Sequence, residues 1–371
     1  MKTNWLKPAS FICAVAVCIT ACTSGTKTTT ITDSTITDST STTLKPAGPA
    51  PEWGKTIKPE MQAVIEKLNS YGDKPLETLS VTDARKNHTP TDAVMDLAKQ
   101  NNITVPAAKV DTMGKDIDVS GGKIHLRIYT PKAGSGPFPL IVYYHGGGFV
   151  IANLDVYNAS AQALAEQVGA IVVSVAYRLS PENKFPTAHN DAFTAYEWAV
   201  KNAVDLKADP AKIAVVGESA GGNLAANVSI MARDKHIMLP VHQVLIYPIA
   251  QADTNTESYK MYEKAKPLNK AMMGWFTEKY LTTMIEAQDP KISLVNANLN
   301  GLPPTTIITA EIDPLHDDGV ILANKLKAAG VKVDSKNYEG VTHEFFGMAL
   351  LVPEAKAAQA YAADQLKAAF K

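Results

Sequence analysis

From residue 124 onward, short segments of strand character alternate along the chain with longer segments of helical periodicity. Several of the strand segments are continuous β-branched runs, which are typical of strands buried on both faces of a parallel sheet. This alternation predicts an α/β fold with a mostly parallel central sheet flanked by helices. The predicted strands are residues 124–129, 140–144, 171–176, 213–216, 244–247, 305–309 and 331–338, and the predicted helices are residues 159–168, 188–204, 221–232 and 317–329.

The N-terminal residues have the pattern of an export signal. Lys2 and Lys7 lead into an apolar stretch, residues 9–21, which is shorter than the ~20 residues that a membrane-spanning helix needs. The stretch ends in Ile-Thr-Ala-Cys, which resembles a bacterial lipobox and implies cleavage before Cys22 and lipidation of that residue. A plain signal peptide with an incidental cysteine is the alternative. We expect residues 1–21 to be a lipoprotein signal peptide.

The same region predicts where the protein is located. An exported chain acylated at Cys22 would be held to the membrane of the bacterial cell envelope by its lipid anchor. Thr23 stands in place of the aspartate that is linked with retention at the inner membrane, which favours the outer membrane. Residues 22–50 are rich in Thr, Ser and Pro and contain ITDST twice in tandem. We expect a disordered tether here, because such a sequence has little apolar surface to bury.

The composition excludes several classes of function for the predicted folded part, residues 51–371. The formal net charge of the chain is −1, whereas a nucleic-acid-binding surface would be basic, so we expect no nucleic-acid partner. All three cysteines, Cys13, Cys18 and Cys22, lie within the first 22 residues. Residues 51–371 therefore contain no disulfide, thiol nucleophile or zinc–thiolate site.

A serine lies between two glycines at the junction of a predicted strand and a predicted helix. Gly217-Glu218-Ser219-Ala220-Gly221 fits the pattern G-x-S-x-G, in the strand–turn–helix context that exposes a nucleophilic serine above a sheet. Glycines are needed there because side chains next to so tight a turn would collide with it. We interpret Ser219 as a nucleophile, and the alternative is an ordinary turn that happens to contain a serine.

One histidine and one carboxylate stand where such a fold would let them serve the serine, whose hydroxyl needs a base. His343 follows the last predicted strand, at the carboxyl edge of the sheet where loops carry the chemistry. Asp313 closely follows the strand before it, and the order Ser219, Asp313, His343 is that of the α/β-hydrolases. Three neighbouring carboxylates are rivals for the role of the orienting acid: Glu311, Asp317 and Asp318.

Gly146, Gly147 and Gly148 follow the second predicted strand. Backbone without side chains lets N–H groups approach a substrate oxygen closely, as an oxyanion hole requires. We expect this triplet, through the N–H groups of Gly147 and Gly148, to form the oxyanion hole together with the N–H group of Ala220. The alternative is a flexible glycine loop without a binding role.

Residues 51–371 resemble the bacterial hormone-sensitive-lipase-like (family IV) esterases of the α/β-hydrolase superfamily. The resemblance implies an α/β-hydrolase fold with a helical cap, from about residues 53–115 and 250–290. Within the second segment, the helical residues 258–285 either pack in the core or form a lid. The resemblance is carried by five motifs in order: HGGGF at 145–149, YRLSPENKFPTAHNDA at 177–192, GESAGG at 217–222, DPLHDDG at 313–319 and THEFFGM at 342–348.

The same resemblance assigns supporting roles. It implies that His145 and Asp191 are structural supports rather than catalysts. Glu218 stands where many relatives carry Asp, a departure that bears on local hydrogen bonding and leaves the three catalytic candidates unchanged. A homodimer through the edge strand near the C-terminus stays open. The chemistry needs no metal and no organic cofactor.

We therefore expect a serine carboxylesterase that acts on small esters with short to medium acyl chains. Ser219 would attack the ester carbonyl, His343 would take the proton and return it to the leaving alcohol, and Asp313 would hold the imidazole. An amidase or deacetylase that uses the same three residues is an alternative which the sequence does not separate. A non-catalytic ligand-binding protein on the same scaffold is the other alternative.

Overall fold

The computed structural model describes residues 44–371. The predicted signal peptide (residues 1–21), the predicted lipidation site Cys22 and the predicted tether up to residue 43 lie outside the described residues.

Eight strands of the described chain form one sheet. They are β1 (Val110–Val119), β2 (Gly122–Pro131), β3 (Phe138–Tyr144), β4 (Ile171–Ala176), β5 (Ala208–Glu218), β6 (Gln243–Ile246), β7 (Thr305–Ile312) and β8 (Val333–Thr342). Their order across the sheet is β1-β2-β4-β3-β5-β6-β7-β8. The pairs β1–β2 and β2–β4 are antiparallel and the other neighbouring pairs are parallel. The predicted mostly parallel α/β sheet is confirmed, and strands β2–β8 correspond to the seven predicted strands.

Helices cover the sheet and its carboxyl edge. Within residues 44–371 they are α1 (Pro59–Ser70), α2 (Val81–Ala84), α3 (Pro90–Gln100), α4 (Asn158–Val168), α5 (Thr187–Lys201), α6 (Ala220–Asp234), α7 (Glu257–Met261), α8 (Lys270–Tyr280), α9 (His316–Ala328) and α10 (Pro353–Ala369). The four predicted central helices are α4, α5, α6 and α9. None of the helices in this part of the chain has both the length and the apolar character to cross a membrane.

The central strands are buried because both faces of the sheet carry helices. In β3, Val142 and Tyr144 belong to one apolar cluster, which includes Leu224 of α6. Ile141 and Tyr143 alternate with them and belong to a second cluster, which includes residues of α4 and α10. This is the arrangement that makes a central parallel strand read as a continuous apolar run.

The edge strand β1 was not predicted. Only Val110 and Ile117 are buried along its ten residues, so its sequence lacks the apolar alternation that marks a half-buried strand. The segment predicted as the N-terminal cap, residues 53–115, therefore extends too far, because the sheet already begins at Val110 and the helices of that segment end at Gln100.

The last residues of the predicted tether are packed against α1. The Leu44 side chain is buried, and Glu66 of α1 accepts hydrogen bonds from the backbone N–H groups of Ala47 (2.5 Å) and Gly48 (3.1 Å). Gln62 donates in turn to the carbonyl oxygen of Gly48 at 2.9 Å. The prediction of disorder up to residue 50 is thus wrong for residues 44–50, where one buried leucine and two polar side chains of α1 fix the backbone.

Two separate segments lie over the carboxyl edge of the sheet. One holds α1 to α3, and the other runs from α7 through α8 to a 3₁₀ turn at Met284–Gln288. Lys266 in the second segment donates to the Asn69 side chain in the first, with 2.6 Å between the two atoms. Phe276 of α8 in residues 258–285 is buried, as the core alternative expected, and it also lines the cavity over the sheet, while a lid stays a prediction. We refer to the two segments together as the cap.

Candidate active site

Ser219 lies at the corner between β5 and α6, in a strained backbone conformation. Its φ of 56° and ψ of −116° are unusual for a residue with a side chain. A β-carbon added at Gly217 would lie 2.0 Å from the carbonyl oxygen of Gly221, and one added at Gly221 would lie 2.0 Å from that of Tyr144. The two glycines are therefore required because the turn brings backbone against backbone. The backbone N–H of Ser219 donates to the carbonyl oxygen of Ile246 at 2.9 Å, which ties the turn to the adjacent strand.

His343 connects the serine to Asp313. Its Nε2 lies 2.9 Å from Ser219 Oγ, and its Nδ1 lies 2.6 Å from Asp313 Oδ2. The second carboxylate oxygen of Asp313 accepts the backbone N–H of Leu315 at 2.8 Å, which fixes the orientation of the carboxylate. The side chains come from loops after three different strands, yet all three residues are almost completely buried. The structure thus brings together the three residues predicted to form the triad.

The three rival carboxylates are bonded elsewhere. Glu311 accepts from the Thr56 hydroxyl at 2.8 Å and from the backbone N–H of Gly340 at 2.7 Å. Asp317 accepts the backbone N–H of Ser258, in the second segment of the cap, at 3.0 Å. Asp318 accepts the backbone N–H of Ala250, which precedes that segment, at 2.9 Å. Among the four candidates, Asp313 is therefore the one that holds the imidazole.

The surroundings of His343 favour a protonated ring. Burial alone lowers its pKa, but the charge of Asp313 and the hydrogen bond to it act in the opposite direction. The charges of Glu344 and Glu218 add to that effect, so the pKa of His343 lies above its ordinary value. Such surroundings stabilise the imidazolium that forms when the ring takes the proton of a nucleophile.

The glycine triplet forms the cavity wall beside Ser219, although its members differ in position. Gly147 and Gly148 line the cavity together with Ser219 and have φ values of 100° and 58°. Gly146 lies behind them, where its carbonyl oxygen accepts from the Tyr177 hydroxyl at 3.2 Å. Ala220 is the first residue of α6, where backbone N–H groups have no partner within the helix. Gly147 and Gly148 thus lie beside Ser219 in the cavity wall, whereas Gly146 does not line the cavity, and the oxyanion hole formed with Ala220 stays a prediction.

His145 and Asp191 hold the loops around the triplet. The His145 ring stacks on Tyr177 and bonds the carbonyl oxygen of Gly146 through Nδ1, at 2.8 Å. Burial lowers the pKa of His145 to about 4, so the ring is neutral at ordinary pH. Asp191 binds the Arg178 guanidinium at 2.7 Å and 2.8 Å and accepts its backbone N–H at 3.0 Å. Both side chains are thus bound to neighbouring loops, and their role as structural supports stays a prediction.

Glu218 is buried beside the nucleophile, between two tyrosines. The Tyr143 hydroxyl donates to its Oε1 at 2.5 Å, and the Tyr247 hydroxyl donates to its Oε2. Burial and the neighbouring charge of Glu344 raise the pKa of Glu218 to about 7, although the two hydroxyls oppose that shift. Close to neutral pH, this carboxyl group therefore carries a proton in much of the population.

Sequence reasoning assigned no role to Glu344, which lines the cavity with Ser219 and His343. Its Oε1 accepts from the Tyr157 hydroxyl at 2.5 Å and lies 3.9 Å from His343 Nε2. The backbone of Glu344 is left-handed, with φ at 68°. No pattern in the sequence indicates that a residue other than glycine will adopt this conformation. The one signal that could have identified Glu344 is its position directly after His343, the candidate base.

A cavity of about 890 Å³ lies between the cap and the sheet. Ser219 and His343 lie at its base, and apolar side chains of the cap, among them Leu268 and Met272, form one wall. A second, smaller cavity of about 40 Å³ lies behind Met273 and Phe276, which line both spaces. The site is therefore a pocket with an apolar wall and one activated hydroxyl, which suits a small molecule with a carbonyl group.

Residues 141–347 match the profile of the Abhydrolase_3 family, described as an alpha/beta hydrolase fold. The carboxylesterase NlhH of Mycobacterium tuberculosis is 39% identical over 250 residues, which are 66% of this chain and 78% of that protein. The ethyl acetate hydrolase of Pseudomonas putida is 32% identical over 313 residues, 81% of this chain and 95% of that protein.

Solved structures agree with these matches. The crystal structure of a thermostable esterase from Pseudomonas putida aligns with a TM-score of 0.78 at 34% identity, over 87% of this chain and 99% of that one. The carboxylesterase EstE1, cloned from a metagenomic library, aligns with a TM-score of 0.73 at 37% identity, over 79% of this chain and 99% of that one. The chain is thus similar to several esterases. It belongs to the Abhydrolase_3 family of proteins with the alpha/beta hydrolase fold.

Proposed function

We propose that this protein hydrolyses carboxylic esters through an acyl-enzyme on Ser219. Esterase activity is the function shared by its named relatives and solved neighbours. The observation that carries the acyl-enzyme route is the continuous hydrogen-bonded chain from Ser219 Oγ through His343 to Asp313, at 2.9 Å and 2.6 Å.

Acylation begins when Ser219 Oγ attacks the ester carbonyl carbon while His343 Nε2 takes its proton. Asp313 holds the ring so that Nε2 faces the serine, and its charge stabilises the imidazolium. The N–H groups of Gly147, Gly148 and Ala220 stabilise the negative oxygen of the tetrahedral intermediate, and losing one such donor typically costs ~3–4 kcal/mol. The imidazolium then protonates the leaving alcohol.

Deacylation repeats these steps with water as the nucleophile. Nε2 of His343 removes a proton from water while the water oxygen attacks the acyl carbon. The imidazolium then returns that proton to Ser219 Oγ as the ester bond to the serine breaks, which releases the acid.

The test is the hydrolysis of 4-nitrophenyl acetate, butyrate and longer esters by the wild-type protein and by Ser219→Ala. We expect labelling of the wild type alone by a fluorophosphonate probe, and a loss of turnover in the variant of several orders of magnitude. Equal rates in the two proteins would contradict the acyl-enzyme route. A matched pair of amide and ester substrates, measured in the same series, separates the esterase from the amidase or deacetylase alternative.

Short to medium acyl chains are the proposed substrates. Support comes from the wall that Met273 and Phe276 form beside residues 145–151, the loop with the glycine triplet, which we call the oxyanion loop. These two side chains line both the main cavity and the small cavity next to it. An acyl group that extends from Ser219 along this wall would contact these two side chains as it lengthens. We expect activity to fall from butyrate to decanoate esters in a chain-length series.

The proposed location is the bacterial cell envelope, and a substitution at Cys22, the predicted lipidation site, tests it most directly. The support is the apolar run of residues 9–21 followed by a lipobox-like sequence, with acyl chains at Cys22 as the membrane anchor and the outer membrane favoured. Replacement of Cys22 by serine should release the protein from the membrane fraction, and globomycin should block its processing. Processing that continues in the presence of globomycin, together with an unchanged membrane fraction for the serine variant, would contradict the anchor.

A further inference from the structure

The Glu344 carboxylate faces the reacting atoms. It lines the same cavity as Ser219 and His343, and its side chain keeps 21% of its surface exposed there. Its Oε1 lies 3.9 Å from His343 Nε2, which in turn lies 2.9 Å from Ser219 Oγ. A carboxylate oxygen therefore stands beside the one nitrogen that exchanges protons with substrate, on the side that is open to the cavity.

Two structural features hold the carboxylate in that place. The backbone of Glu344 is left-handed at a φ of 68°, a conformation that disfavours any residue with a side chain. The Tyr157 hydroxyl donates to Oε1 at 2.5 Å, and it occupies the space that a side chain at Gly146 would need, because a β-carbon there would lie 2.2 Å from the hydroxyl oxygen. This position of the carboxylate therefore requires a strained backbone at Glu344 and the absence of a side chain at position 146.

We propose that Glu344 positions the water molecule that hydrolyses the acyl-enzyme. This inference rests on the proposed function. The separation of 3.9 Å between Oε1 and Nε2 is too long for a direct hydrogen bond, while one water molecule in the open cavity can donate to both atoms.

The two O–H bonds of that water have different fates. The proton directed at His343 is transferred to Nε2 as the water oxygen bonds to the acyl carbon, and it then passes to Ser219 Oγ when the acyl–oxygen bond breaks. The second O–H donates a hydrogen bond to Glu344 and keeps its proton until the product acid ionises in solution. Glu344 therefore orients the nucleophile and takes no proton in the step.

This arrangement distinguishes water from an alcohol. Methanol has a single O–H bond, which it must give to His343 in order to attack, so it has no second donor for Glu344. Removing the carboxylate should therefore slow hydrolysis of the acyl-enzyme more than it slows transfer of the acyl group to methanol. The ratio of acid to methyl ester is formed within one reaction, so it does not depend on how much of a variant is folded.

The experiment measures that ratio with 4-nitrophenyl butyrate in water–methanol mixtures, by quantifying butyrate and methyl butyrate. In Glu344→Leu we expect the ratio to shift toward the methyl ester by about tenfold, the effect of losing one hydrogen bond of ordinary strength. Glu344→Gln, which keeps an acceptor oxygen, should lie between that variant and the wild type. Tyr157→Phe, which frees the carboxylate, should shift the ratio in the same direction by less.

Glu218→Gln is the matched control. Its carboxyl group also faces His343, as do those of Asp313 and Glu344, and the Tyr247 ring lies 4.5 Å from the imidazole between ring centres. Glu218 does not line the cavity, however. Both Glu344→Gln and Glu218→Gln should lower the pKa of His343 in the pH profile of kcat/KM, whereas only the change at Glu344 should alter the ratio.

The outcomes separate this inference from the proposed function. An unchanged ratio in Glu344→Leu, in protein whose Ser219 still reacts with a fluorophosphonate, would overturn the role of Glu344 and leave the esterase intact. An equal shift in Glu218→Gln would also overturn it, since the effect would then be one of charge and not of water position. Turnover that survives in Ser219→Ala would instead overturn the proposed function itself.

Discussion

At the scale of single residues, the site depends on side chains that gain their properties from burial. Ser219, Asp313 and His343 are almost fully buried, and each has a hydrogen-bond partner in the chain that links them. Glu218 is as deeply buried and is held by two tyrosine hydroxyls. The first three residues were identifiable from motif and order, whereas the state of Glu218 depends on the tyrosines that fold around it.

We predict that Glu218→Gln changes how stability depends on pH. The pKa of Glu218 rises from its ordinary value of 4.5 to about 7 in the folded protein, so the folded state binds this proton more tightly than the unfolded state. The stabilisation of the folded state by this proton is fully present below pH 4.5 and is lost as pH rises through about 7. The Gln variant mimics the protonated form and lacks this loss.

Thermal unfolding of both proteins between pH 5 and pH 8 tests the prediction at Glu218. The Tm of Glu218→Gln relative to wild type should rise across this range. A difference in Tm that stays constant with pH would show that the carboxyl group ionises equally in the folded and unfolded states.

At the scale of elements, two parts of the cap contact the loop that carries the oxyanion glycines. Arg85, at the end of α2, donates to the carbonyl oxygens of Val150 (2.9 Å) and Ser180 (2.8 Å) and pairs with Glu182 at 2.7 Å. From the other side, the Phe276 ring of α8 fills the space beside Gly148, where an added β-carbon would lie 2.3 Å from it. The oxyanion loop is thus held between two helices that are far apart in sequence.

We predict that Arg85→Lys lowers kcat more than it raises KM. The lysine keeps the charge but cannot bind the two carbonyl oxygens and the carboxylate together, so the oxyanion loop loses its fixed position. We expect kcat to fall about tenfold, less than the loss of a whole oxyanion donor. Arg127→Lys is the control, because Arg127 binds Asp155 at 2.7 Å and is not in the cavity lining. Equal effects of the two changes on kcat would contradict a specific role for Arg85.

We predict that Met273→Ala moves the acyl-chain preference toward longer esters. The shorter side chain joins the main cavity to the space of about 40 Å³ behind it, so longer acyl groups gain room. The ratio of kcat/KM for octanoate to that for butyrate should rise several-fold. Phe276→Ala should give the same shift together with a general loss of kcat, because that ring also supports Gly148. A chain-length profile unchanged in both variants would show that the acyl group lies elsewhere.

At the scale of the whole molecule, the sequence predicted those strands that are buried on both faces of the sheet, because their sequences are continuous apolar runs. The central strands and helices were predicted because apolar runs and helical periodicity follow from packing in the sheet. The edge strand β1 was not predicted because most of its residues are exposed. The helix α10 was not predicted because its many alanines weaken the apolar periodicity of its sequence. Contacts over long distances along the chain, such as those of Glu344 with Tyr157, leave no local signal.

The docking of residues 44–50 on α1 gives a prediction for the whole fold. A protein that begins at residue 51 loses the buried Leu44 side chain and the hydrogen bonds to Glu66 and Gln62. Its Tm should be about 3 °C below that of a protein that begins at residue 44, because ~2 kcal/mol of apolar burial is lost and the entropy of unfolding is ~2.1 cal/mol/K per residue. Leu44→Ala in the longer protein should reproduce much of the difference, whereas identical Tm values would mean that the segment contributes nothing to stability.

The contact between Phe276 and Gly148 joins entry of the substrate to the speed of the reaction. The same aromatic ring closes the wall of the pocket and presses on the backbone whose N–H groups must meet the newly formed negative charge. A protein with its cap displaced would be both easier to enter and slower once entered, because the donors would no longer be braced. Wider access to the pocket and fast catalysis therefore make opposite demands on the contact between Phe276 and Gly148. An ester that enters without moving the Phe276 ring is the one that can be bound and cleaved rapidly.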